Sequence, residues 1–169
     1  ISSVNPFSNL QDLIKNKLGI RDFTGNIFTI WGSIMENLII NILQDNLLCK
    51  IYETGSLPGS VPFQSYSPDG LAYISSINKI ILFEIKCACR RLATGSIPTM
   101  YKPQIYTGLD TIQLADYGIF VDAMLRACSI EDWGLSNSTF NKKLHGDKIR
   151  KKDKPIALCM IGVYRNKFI

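Results

Sequence analysis

One histidine, His145, is all the imidazole in this chain of 169 residues. Histidine-ligated metal sites and a Ser-His-Asp hydrolase therefore lack their parts, because each needs an imidazole placed beside other specific partners. Glycine occurs 12 times but never as the loop G-x-x-x-x-G-K-[ST], so no phosphate cradle of the nucleotide-hydrolase type is present and any motor activity must come from elsewhere. The five cysteines, Cys49, Cys87, Cys89, Cys128 and Cys159, are odd in number and scattered. They lack the paired spacing of a zinc ribbon or an iron–sulfur cluster, and without a secretory context they read as reduced, buried thiols of an intracellular protein.

Long apolar runs are also missing. The longest candidate, around residues 27–48, is interrupted by Trp31-Gly32-Ser33, Glu36, Asn37, Asn41 and Gln44, short of the roughly 18 continuous apolar residues that signal a membrane span. No membrane partner is expected. The chain starts at Ile1 rather than methionine and has no signal-peptide pattern, so it is expected to be a piece lacking the N-terminal segment of a longer protein.

What is present suits one globular domain over residues 1–169: 46% of the residues are hydrophobic and 20% charged, enough to build a core. Nineteen Lys and Arg against 14 Asp and Glu give a net charge of +5, which favours a polyanionic partner. Lys142, Lys143, Lys148, Arg150, Lys151, Lys152 and Lys154 crowd one polar segment, and Arg90-Arg91 form a second basic pair. Both can meet phosphates, and a solvated basic loop explains the first equally well.

Apolar periodicity predicts a short helix from Leu10 to Leu18, ended near Gly19. A longer helix is predicted from Ile27 to Asn46, with Trp31, Ile34, Met35, Leu38, Ile42 and Leu43 as its stripe and Glu36 at the edge. A strand is expected at Cys49–Glu53, then an irregular approach through Gly55, Pro58, Gly59 and Pro62. Pro103 opens a helix carrying Gln104, Ile105, Leu109 and Ile112, with Ile112 toward the sheet. Tyr117–Leu125 and the near-continuous apolar run Ile156–Tyr164 read as strands, the latter as a buried one. The class expected is α/β, a central mixed sheet flanked by helices.

Between Asp69, in Ser67-Pro68-Asp69-Gly70, and Glu84, in Phe83-Glu84-Ile85-Lys86, the chain reads as a β-hairpin: Tyr73-Ile74 and Ile80 to Phe83 are strand-forming runs around the polar Ser75 to Lys79. The hairpin brings two carboxylates to one place. Strand alternation puts Lys86 on the same face as Glu84 and turns Ile85 away. Carboxylate oxygens are the ligands Mg²⁺ and Mn²⁺ prefer, and a bound cation with a nearby lysine can produce hydroxide at a phosphorus centre. Alone the pattern is ordinary, since Pro-Asp-Gly is a common turn and Glu-x-Lys on a strand is usually solvated charge.

Three further segments stand around it in order, Asn5-Pro6-Phe7 before a helix ending Lys17-Leu18-Gly19, Trp31-Gly32-Ser33-Ile34-Met35-Glu36, and Pro98-Thr99-Met100-Tyr101-Lys102-Pro103-Gln104-Ile105-Tyr106-Thr107-Gly108-Leu109, and the hairpin itself ends in Glu84-Ile85-Lys86-Cys87. Together with Ser67 to Gly70 they resemble the lambda-exonuclease or YqaJ-type viral recombinase branch of the PD-(D/E)XK nucleases, over roughly residues 5–125. Val121 to Ile130 looks like versions carried by large cytoplasmic DNA viruses.

The resemblance implies a single restriction-endonuclease-like domain and a Mg²⁺- or Mn²⁺-dependent deoxyribonuclease. By it, Asp69, Glu84 and the backbone carbonyl of Ile85 would hold the metal, with Glu36 beside it, and Lys86 would act on the attacking water with Gln104 orienting both. Tyr101 would support the loop. It also implies double-stranded DNA as substrate, degraded 5′ to 3′ for viral recombination or genome processing, a single-strand annealing recombinase as partner, a homo-oligomer (a trimer), and work in the cytoplasm of an infected cell. Arg90, Arg91, Lys142 and Lys143 would contact DNA. The family's 5′-phosphate-binding serine and arginine would lie upstream of Ile1. Two rivals remain: a related nuclease of other polarity, Cas4-like, with an iron–sulfur cluster on Cys49 and later cysteines, and a DNA-binding scaffold of the same fold without catalysis.

Overall fold

The computed structural model of the chain describes residues 9–20, 25–88, 95–125 and 156–164. Arg90, Arg91, Lys142 and Lys143 lie outside them, as do Asn5-Pro6-Phe7, Cys89 and Cys128.

Helix α1 (Leu10–Lys17) starts at Asn9, whose side chain accepts from the Asp12 amide, and ends before Gly19 at φ +67°. Helix α2 (Ile27–Leu47) starts on a capping box: Asn26 Oδ1 accepts from the Phe28 and Thr29 amides, and Thr29 Oγ1 accepts from the Asn26 amide. Its far end ties to the sheet through Gln44 Oε1, which accepts from the Ile51 amide at 2.9 Å.

Five strands form the main sheet in the order β1-β4-β5-β6-β7: β1 (Ile51–Tyr52), β4 (Gly70–Ile74), β5 (Lys79–Cys87), β6 (Tyr117–Leu125) and β7 (Ile156–Tyr164). All neighbours are antiparallel except β5 and β6, so the sheet is mixed as expected. The β4–β5 hairpin pairs Ile74 with Lys79 around a four-residue turn and Gly70 with Phe83 at its open end. That register sets Asp69, one residue before Gly70, beside Glu84 and Ile85. Gly70 is required there, since a Cβ would stand 2.4 Å from Ile51 Cγ2 of the adjacent strand. At the other end of β5, Asp116 accepts from Lys79 Nζ and the Ile80 amide, both at 2.9 Å, which fixes where β6 begins beside β5.

Among the described residues, one helix packs on each face of the sheet. On one side Ile39, Ile40 and Leu43 of α2 pack on Ile81, Phe83 and Ile85 of β5 and on Val121 and Ala123 of β6. On the other, Ile105 and Leu109 of α3 (Lys102–Thr111) and the following Ile112 pack on Leu82, Phe120 and Val163. Odd-numbered residues of β5 thus face α2 and even-numbered ones, Glu84 and Lys86 among them, face α3.

Three local expectations change. The buried stripe of α2 runs through Ile39, Ile40 and Leu43 with Trp31, Met35 and Ile42 packed beside it, whereas Ile34 and Leu38 are 60% and 45% exposed. The helix is apolar on nearly every side, so periodicity could not choose the face that meets the sheet. By length and composition alone α2 is also long and apolar enough to cross a membrane; here it supplies the core of one face. Second, the approach to Asp69 contains a small two-stranded sheet, β2 (Leu57–Pro58) against β3 (Ser65–Tyr66). Third, among the described residues β7 stands last in the sheet, pairing with β6.

Candidate active site

At the open end of the hairpin Asp69 Oδ2 accepts from the Ile85 amide at 2.6 Å, so the aspartate is held by the strand that carries its partners. Glu84 is fully buried. Its Oε1 accepts from Lys86 Nζ and its Oε2 from the Tyr66 hydroxyl. The Lys86 ammonium lies 3.6 Å from Asp69 Oδ2 and donates to the Ile85 carbonyl at 3.2 Å. One positive charge is therefore gathered by three oxygens: Asp69 Oδ2, Glu84 Oε1 and Ile85 O. Beyond it stands Tyr101, its ring centroid 5.8 Å from Nζ and 5.8 Å from the ring of Phe120.

Burying carboxylates together has electrostatic consequences. Loss of hydration pushes Glu84 above the usual carboxylate range, with Asp69 adding to the effect and Lys86 opposing it. Burial pulls Lys86 down, but Glu84 and Asp69 outweigh it and hold the ammonium above its ordinary value. Glu36, half-buried on α2, is pushed up to about 7, first by partial burial and then by Asp69. Lys86 works against that shift, while Glu53 and Glu84 reinforce it. Glu36 thus senses the same cluster from the opposite side of the sheet.

The structure brings Asp69, Glu84, Ile85 O and Lys86 together, with Glu36 within electrostatic reach. Gln104 is exposed in the first turn of α3, and no hydrogen bond joins it to Lys86. Two residues at the site went unread in the sequence. Tyr66 is the phenol on Glu84, hidden in a stretch that looks like irregular loop. Asp122 is 1% exposed and stands opposite Lys86 in the β5–β6 register, on the face of Glu84; an aspartate inside an apolar strand was the available signal. Cys49 and Cys87 are free thiols packed against the α2-side core. Burial, then Glu36, pushes Cys87 up to about 12, which favours the protonated thiol.

A divalent ion is the group that the nuclease resemblance implies, and the oxygen set is suited to one. Two carboxylates and a carbonyl already surround a cation, the Lys86 ammonium. Among the described residues no cluster of three His, Cys, Asp or Glu side chains could hold a metal. A site with two protein carboxylates matches Mg²⁺, which commonly keeps several waters and takes only one or two carboxylates.

No family model matches the chain. In sequence it is similar to protein D345L of African swine fever virus: 27% identical over 176 residues in the Badajoz strain, covering 86% of this chain and 49% of the relative. The homologue from a South African tick isolate is 29% identical over 170 residues, covering 82% and 48%. The chain spans about half the length of these curated relatives. In structure it is similar to an alkaline exonuclease from Laribacter hongkongensis (TM-score 0.58, 16% identity, 92% of this chain and 67% of that one). A phage-related exonuclease from Haemophilus somnus also matches (TM-score 0.53, 15% identity, 92% and 70%). The chain shares the fold of these two exonucleases, a central mixed sheet with helices packed on it, and its sequence relatives include African swine fever virus proteins.

Proposed function

We propose that the chain is the nuclease domain of a Mg²⁺- or Mn²⁺-dependent deoxyribonuclease that degrades double-stranded DNA from its 5′ ends, in viral recombination or genome processing. The observation that carries this reading is the three-oxygen set of Asp69, Glu84 and Ile85 closed around the Lys86 ammonium. The exonuclease fold and the viral relatives support it.

Asp69, Glu84 and the Ile85 carbonyl would hold the ion. Bound there, it would lower the pKa of a water and neutralise charge on the phosphate. Asp69 is pre-oriented by the Ile85 amide, and Glu84 by its burial and two donors, so neither must reorganise to serve. Lys86 holds the attacking water and balances the negative charge of the scissile phosphate. Glu36 lends negative potential from α2, and Gln104 lines the approach from α3.

The direct test compares linear duplex with 5′-phosphate ends, the same duplex blocked at its 3′ ends, and a covalently closed circle. Both linear substrates are expected to be degraded and the circle spared. Cutting of the circle at the linear rate, or protection by the 3′ block, would overturn the proposal.

A further inference from the structure

Glu84 divides its two oxygens between different partners, Oε1 to Lys86 and Oε2 to the Tyr66 hydroxyl. Tyr66 comes from β3, outside the five-stranded sheet, and is itself buried at 8% exposure. Its ring reaches Glu84 by crossing α3 at Gly108. A Cβ on that glycine would stand 2.6, 2.7 and 3.1 Å from the ring Cε1, Cζ and hydroxyl oxygen, so any larger residue would push the phenol away. The turn before β3 is fastened to the same helix: Gln64 Nε2 donates to Asp110 Oδ2 at 3.2 Å and to Thr111 Oγ1 at 2.9 Å. The placement of the phenol is thus built by three elements, and the hydroxyl's hydrogen bond is the one to Glu84.

A glutamate carboxylate turns easily about its last torsion and can meet a cation with one oxygen or two. A donor fixed on Oε2 removes that freedom. We propose that Tyr66 is a positioning residue that turns Glu84 so that Oε1 faces the cation position shared with Asp69 Oδ2 and Ile85 O, and that Gly108 is the notch in α3 that admits it. The inference rests on the metal-dependent reading above. Tyr66 acts through Glu84, the acceptor of its hydroxyl.

The test is Mn²⁺ binding to the intact chain without DNA, with free Mn²⁺ read by electron paramagnetic resonance, beside cleavage as a function of Mn²⁺. Tyr66→Phe keeps the ring on Gly108 and removes only the hydroxyl. It is expected to weaken Mn²⁺ binding by roughly 10- to 100-fold, the usual effect of losing a group that orients a metal ligand. Far-UV circular dichroism should stay that of the parent, and cleavage should recover at high Mn²⁺. Gly108→Ala, which displaces the ring, should weaken Mn²⁺ binding similarly and add no further loss in the Tyr66→Phe background. A Tyr66→Phe chain that binds Mn²⁺ as tightly as the parent, while Glu84→Gln does not, would overturn this inference alone. A parent chain that binds no Mn²⁺ would overturn the metal-dependent reading and this inference with it.

Discussion

Lys86 is the residue around which Asp69, Glu84 and the Ile85 carbonyl are arranged, while Glu36 titrates abnormally first because it is half-buried on α2 and then because Asp69 lies near, with Lys86 opposing. A glutamate near 4.5 when unfolded and near 7 when folded is penalised by folding in its charged form. Its favourable state in the folded chain is therefore the protonated one, fully present below about 4.5 and lost as pH rises through about 7. In EDTA the melting temperature should fall across that window, and Glu36→Gln should flatten the slope; an unchanged slope in the variant would remove Glu36 from the cluster. Gln104→Ala is expected to slow cleavage without abolishing it, because Gln104 is exposed and makes no hydrogen bond to Lys86.

At this scale the meeting of Asp69, Glu84 and Lys86 in one place was legible, because strand alternation forces positions 84 and 86 onto one face and a Pro-Asp-Gly turn marks the strand start. Tyr66 was not, because a two-residue strand has no periodicity to read and its partner, Glu84, is distant in sequence.

Among the elements, the β4–β5 hairpin was the easiest to anticipate, since two strand-forming runs bracket a polar turn with little alternative. Helix α2 was predicted almost to the residue, yet its buried face was chosen only by packing. The helix depends on its start: replacing Asn26 by Ala removes the acceptor for two amides and should cost about 1 kcal/mol. In a domain of this size that lowers the melting temperature by roughly 2–4 °C. Cleavage at low temperature should be unaffected, because Glu36 lies well inside the helix. At the core of the same helix, the fully buried Leu43 truncated to Ala should cost about 2–5 kcal/mol, a difference chemical denaturation resolves. Equal costs at Asn26 and Leu43 would mean that α2 is not packed on the sheet as described.

For the whole molecule, a net charge of +5 favours a polyanionic partner without saying which residues would meet it. The sheet with one helix on each face was legible as a class from the order of elements. The place of β7 at the end of the sheet among the described residues was not, because an apolar run reads alike in a central or an edge strand. Charge on Lys142 and Lys143 offers a test at this scale. If they contact DNA phosphates, each replacement by Ala should reduce the slope of log affinity against log salt by about 1 with no change in melting; an unchanged slope would make the segment ordinary solvated surface.

The most direct measurement is nucleotide release from a linear, 5′-phosphorylated duplex by the intact chain and by Asp69→Asn, Glu84→Gln and Lys86→Met, each in Mg²⁺ and in EDTA. The expected result is cleavage by the parent in Mg²⁺ only, background rates for Asp69→Asn and Glu84→Gln, and a loss of roughly 10²- to 10⁴-fold for Lys86→Met, with the circular dichroism of all three variants matching the parent. Undiminished cleavage by the three variants, or cleavage by the parent in EDTA, would contradict the assignment of the site.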